Sequence, residues 1–69
     1  MKSSLTLKNN LKDFRNKKGL TQEELAFSCG TSRQTIVAIE KEQFNPSAKL
    51  ALLVCISLDC KFEELFYIE

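Results

Sequence analysis

An all-α single domain spanning residues 1–69, with short antiparallel strands contributed by its two termini, is the fold class this sequence predicts. Three observations point there. Side chains suited to helix N-caps recur four or five times along the chain, without a linker or a low-complexity segment between them. Two glycines and one proline are too few for a sheet-rich fold built on tight turns, and equally too few for a disordered tail. The longest apolar stretch, residues 48–56, lies inside the chain and is interrupted only by Lys49.

The first helical segment is capped by Asn9 or Asn10 and carries Leu11 and Phe14, with Leu7, on its inner side. Lys17 and Lys18 set cations at its end, and Gly19 takes the left-handed position that stops it. Thr21-Gln22-Glu23-Glu24 is a capping box: the Thr21 hydroxyl serves the amide three residues on, and the Glu24 carboxylate reaches back. The second helix buries Leu25 and Ala26, takes Phe27 and Cys29 into the core, and stops at Gly30. Thr31-Ser32 caps a third helix that turns Ile36 and Ile39 inward and runs to Lys41. A loop follows, because Pro46 pushes Asn45 out of the α region. Ser47 caps a fourth helix, where Leu50, Leu53, Val54 and Leu58 make a core stripe. Ala51, Leu52, Cys55 and Ile56 leave it apolar nearly all round; such a helix is covered on every side, and 69 residues leave few elements to cover it. Phe62-Glu63-Glu64-Leu65-Phe66 reads as one short fifth helix. Tyr67-Ile68-Glu69 and Leu5-Thr6-Leu7 have β character and are expected to pair.

Size and composition exclude several function classes. A chain this small buries only about 60% of its unfolded surface, so a disulfide, a metal or a partner usually supplements its core. Three cysteines and no histidine exclude His-ligated zinc, Ser-His-Asp or Cys-His catalysis, and a disulfide-dense framework. Cys29, Cys55 and Cys60 are then small buried hydrophobes, and neither metal nor cofactor is expected. Self-association is the expected supplement. Residues 1–8 contain no apolar leader, and residues 48–56 fall far short of the roughly 20 a membrane span needs. A cytoplasmic protein with reduced thiols and no membrane contact is expected.

The net charge of +1 hides an asymmetry. Residues 1–41 hold eight Lys/Arg against four Asp/Glu, while residues 42–69 hold two against five. A polyanion partner on the N-terminal side would explain that split, although on charge alone a solvated basic face is the simpler account.

Segments two and three carry more information. A capped helix, a short turn containing Gly30 and a second capped helix, about residues 22–41, have helix-turn-helix spacing. Generic helical hairpins share it, so spacing alone does not decide. The outer face of segment three does more: Ser32, Arg33, Gln34, Thr35, Val37 and Ala38 include no acid. Arginine pairs bidentately with guanine, glutamine with adenine, and small methyls meet the thymine methyl. A merely solvated face would usually alternate Glu and Lys.

With Leu11-Lys12, Arg15, Lys18-Gly19-Leu20-Thr21-Gln22-Glu23-Glu24-Leu25-Ala26, Gly30-Thr31-Ser32-Arg33-Gln34-Thr35-Ile36, Ile39-Glu40, Asn45-Pro46-Ser47 and Glu63-Glu64-Leu65-Phe66, residues 11–66 resemble the Cro/repressor (XRE-like) helix-turn-helix regulators, in particular their short stand-alone members. The resemblance implies a five-helix, lambda-repressor-like DNA-binding domain whose third helix enters the major groove of double-stranded DNA. It implies base-facing positions at Arg33, Gln34, Thr35, Val37 and Ala38, and backbone contacts from Gln22, Ser32, Lys41, Gln43 and Phe44. Arg15 and Glu40 match a pair that joins helix one to helix three in several relatives and is read as structural. Val37 and Ala38 stand where many relatives carry longer polar readers, Glu42 where a Gly or Asn often ends helix three, and Lys61 where a Ser or Thr usually caps helix five.

The expectation is a sequence-specific repressor that binds a pseudo-palindromic operator as a homodimer, its two-fold axis near Asn45, Pro46, Phe62 and Phe66. The alternative is an antitoxin-like protein that masks another protein and also regulates its own promoter. An enzyme is not expected: no nucleophile-base pair, phosphate-cradling glycine loop or metal cluster is present in the sequence.

Overall fold

A computed structural model describes residues 5–69. Residues 1–4, part of the segment read as free of a leader, lie outside the described residues. The elements in order are β1 (Leu7–Asn9), α1 (Leu11–Lys17), α2 (Gln22–Cys29), α3 (Arg33–Glu40), α4 (Ala48–Leu58), α5 (Phe62–Leu65) and β2 (Phe66–Ile68). This is the five-helix fold with paired terminal strands that the sequence predicts.

Helix starts follow the capping residues. The Glu24 amide donates to Thr21 Oγ1 at 3.0 Å and the Thr21 amide to Glu24 Oε1 at 2.8 Å, which closes the capping box. Ser32 and Ser47 accept from the amides of Thr35 and Leu50. Asn10 sits at the N-cap of α1 without a side-chain cap, and Asn9 Oδ1 accepts from the Leu11 amide instead. Lys61 has no acceptor to offer α5, where the Glu64 carboxylate accepts from the Lys61 amide at 2.8 Å.

The first four helices end alike. In each, the sixth residue's amide returns to the first residue's carbonyl across a left-handed residue: Leu20 to Arg15, Thr31 to Ala26, Gln43 to Ala38 and Cys60 to Cys55. The left-handed residues are Gly19 and Gly30, which lack a Cβ to clash, and then Glu42 (φ 62°) and Asp59 (φ 53°). Helix α3 therefore ends at Glu40, with Lys41 as its cap rather than its last residue.

Leu11, Leu25, Ile36, Ile39, Val54 and Leu65 are fully buried and form the centre of the core. Phe14, Leu20, Leu50 and Leu53 pack around it. Cys29, Cys55 and Cys60 are free thiols, the first two buried. Desolvation, with Cys55 alongside, pushes the Cys60 thiol up to about 11.

Three expectations are corrected. Phe27 is not core but 89% exposed. At about 100° per residue it lies some 150° from the face set by Leu25, Ala26 and Cys29. The terminal strands pair nearer the core than expected, through Leu7 with Ile68, Lys8 with Tyr67 and Asn9 with Phe66, extended by Thr6 and Glu69. Phe66 consequently belongs to β2, and α5 is a single turn. Within one chain, α4 buries Ala51, Val54, Cys55 and Leu58 and packs Leu50 and Leu53 against the core, while Leu52 and Ile56 stay exposed.

Candidate nucleic-acid interface

Two supports fix the angle of α3. Apolar packing is the first: Ile36 and Ile39 point into the core beside Leu25 and Ala26, and the Gly30 turn brings α3 back across α2. The second is polar. Arg15 Nε donates to Glu40 Oε2 at 2.7 Å and Nη2 to Glu40 Oε1 at 3.3 Å, while Nη1 donates to the Leu20 carbonyl at 2.8 Å. Gln22 Nε2 adds a bond to Glu40 Oε1 at 3.0 Å. The end of α3 is thus tied to the end of α1 and the start of α2 by a fork-to-carboxylate pair whose side chains are only 10% and 7% exposed.

The outer face of α3 begins with Ser32, exposed, its hydroxyl engaged as N-cap and 2.9 Å from Thr35 Oγ1. Arg33 and Gln34 are exposed, and among the described residues no side-chain hydrogen bond holds either of them. Thr35, Val37 and Ala38 are half-buried. Lys41, Gln43 and Phe44 stand exposed just beyond the helix. Gln22 shares its side chain with Glu40, and its backbone amide lies in the first turn of α2, outside that helix's own ladder.

The electrostatics are more favourable than the sequence suggests. Glu40, the first acid after Arg33, spends its charge inward on Arg15 and Gln22. Glu42, the next, pairs with Lys8 Nζ at 3.1 Å. That hydrogen bond and the carboxylate's charge raise the Lys8 pKa above its ordinary value. Lys8 is a contributor that sequence reasoning missed, since a single lysine on a three-residue strand carries no motif.

The residues read as a dimer contact are not equally available. Asn45 is exposed and Pro46 half-buried. Phe62 is 46% exposed, but Phe66 is 4% exposed and lies beneath it, ring centroids 5.1 Å apart. Leu52 and Ile56, one turn apart on α4, continue the apolar surface, and open clefts flank Phe62 on either side. That one chain leaves part of α4 uncovered is expected from the sequence, but an all-round apolar helix gives no periodicity from which to read which residues face out.

A helix-turn-helix family model matches residues 11–65, most of the chain. An uncharacterised HTH-type transcriptional regulator of Methanocaldococcus jannaschii is 48% identical over 63 residues, which cover 91% of this chain and 96% of the relative. The uncharacterised HTH-type regulator YgzD of Bacillus subtilis is 41% identical with the same coverage. Among solved structures, the restriction-modification controller protein C.AhdI of Aeromonas hydrophila superposes with a TM-score of 0.74 at 37% identity, over 78% of each chain.

Proposed function

The chain belongs to the XRE-type helix-turn-helix family of DNA-binding transcriptional regulators, and from that premise we propose that it is a sequence-specific repressor acting as a homodimer on a pseudo-palindromic operator. The observation that carries this reading is the outer face of α3, acid-free from Arg33 to Ile39 and braced from behind by the Arg15–Glu40–Gln22 network. In the major groove, Arg33 and Gln34 supply the bidentate contacts, and the methyls of Thr35, Val37 and Ala38 meet thymine. Gln22, Ser32, Lys41, Gln43 and Phe44 hold the phosphate track on either side.

Dimerisation is argued from surface and symmetry. Pro46, Leu52, Ile56 and Phe62 leave apolar area open on a 69-residue chain whose own core is small. One recognition helix reads few base pairs, whereas a two-fold pair reads two half-sites one turn of duplex apart. Occupying the groove is enough to exclude other proteins from that stretch, which suits repression in the cytoplasm.

Fluorescence anisotropy with a Gln34→Ala variant tests the assignment. The substitution is expected to cost about 1–3 kcal/mol on the cognate duplex and little on unrelated DNA. Equal loss on both would mean that Gln34 touches only backbone and that α3 does not read bases there.

A further inference from the structure

We propose that Lys8, on the N-terminal strand β1, is a phosphate-binding residue of the DNA interface, held in waiting by Glu42. The inference deepens the proposed α3-in-groove mode and rests on it. Its first ground is position. Asn9 Nδ2 donates to the Ile39 carbonyl at 2.9 Å, so β1 is fastened to the last turn of α3 by a side chain that fills one of that helix's terminal acceptors. The same asparagine accepts from the Leu11 amide, which fixes the strand from the other side. Lys8 is thereby carried to the end of the reading helix, beside the exposed run of Lys41, Gln43 and Phe44.

The second ground is charge. Glu42 occupies a left-handed position, at φ 62°, where glycine would be the unstrained choice. An acid there faces the phosphate track and would repel it. Lys8 Nζ, 3.1 Å away, cancels that charge in the free protein. The pair is solvent-accessible, with side chains 35% and 28% exposed, and lysine is a point charge on a flexible stem. A phosphate oxygen brought alongside can replace Glu42 as acceptor without moving the backbone of β1. Lys8 is then a non-specific contact, adding affinity and salt dependence but no base discrimination.

The test is a set of anisotropy titrations of wild type, Lys8→Gln, Lys8→Arg and Glu42→Gln, each on the selected operator and on an unrelated duplex across a salt series. Lys8→Gln is expected to weaken both duplexes by the same factor and to lower the slope of log affinity against log salt by about 0.9. Wild type then loses roughly threefold more affinity than the variant between about 50 and about 200 mM salt. Lys8→Arg should keep the wild-type slope, and Glu42→Gln should tighten both duplexes several-fold. An unchanged slope in Lys8→Gln, with wild-type binding intact, overturns the assignment and leaves the α3 mode standing. A wild-type protein that binds no duplex overturns the α3 mode, and the role of Lys8 with it.

Discussion

Arg15 shows how one side chain can set the angle of α3 without belonging to its outer face. The residue is 8% exposed, and three guanidinium nitrogens are bonded, to both Glu40 oxygens and to the Leu20 carbonyl. Replacing it by alanine leaves Glu40 buried with only Gln22 as partner. Removing one member of such a pair typically costs about 3–5 kcal/mol, a large share of the roughly 5–15 kcal/mol that stabilises a domain. Thermal melting of Arg15→Ala should show this directly, and an Arg15→Met/Glu40→Leu double variant should melt well above it, because no unpaired charge remains. An Arg15→Ala protein that melts with wild type would mean that solvent reaches the pair and that it does not brace α3. The resemblance supplied the identity of this pair. Its burial could not be read from the chain, because burial depends on where α1, α2 and α3 meet. Phe27 makes the converse point: its hydrophobicity suggests core, yet its angular position on α2 turns it to solvent.

At the scale of elements, starts were more legible than ends. A hydroxyl or carboxylate acting across three residues is a local signal, and Thr21, Ser32 and Ser47 each cap the helix they precede. Gly19 and Gly30 mark their turns equally well. The two later helices end through Glu42 and Asp59, residues whose type does not announce a left-handed conformation. Strand positions were legible in kind but not in register, since β1 is drawn inward by the bonds that Asn9 makes to α1 and α3. Asp59 offers a clean test of the strain at these ends. It is exposed, and its contact with Lys18 is a 4.0 Å ion pair between largely solvated groups, worth little. A left-handed L-residue is disfavoured by roughly 1–2 kcal/mol, less for aspartate, and glycine at this position is free of that penalty. Asp59→Gly is therefore expected to stabilise by about 0.5–1 kcal/mol, at about 4–8 °C in Tm per kcal/mol for a domain of this size. A lowered Tm would mean that the Asp59 side chain supports the end of α4 in a way its bonds do not reveal.

For the whole molecule, the division of labour between faces matters most. One side presents Arg33 and Gln34 with the neighbouring acids neutralised; another presents Leu52, Ile56 and Phe62. The sequence showed the first through its missing acids and pointed to the second through a helix with no polar stripe and through the aromatics at Phe62 and Phe66. If the apolar side joins two copies, dimerisation adds to folding stability, and the melting temperature must rise with protein concentration. Sedimentation equilibrium should find twice the 7.9 kDa chain mass, with Phe62→Ala shifted toward monomer. A well-folded monomer at micromolar concentration, with Phe62→Ala indistinguishable from wild type, would contradict that arrangement. The central claim is that α3 of each of two symmetry-related copies reads bases, and selection of binding sites from a random duplex pool with the purified protein addresses it most directly. The expected result is an inverted repeat whose half-site centres lie about 10–10.5 base pairs apart, one helical turn. Recovery of no enriched sequence, or of a single unrepeated site, would contradict it.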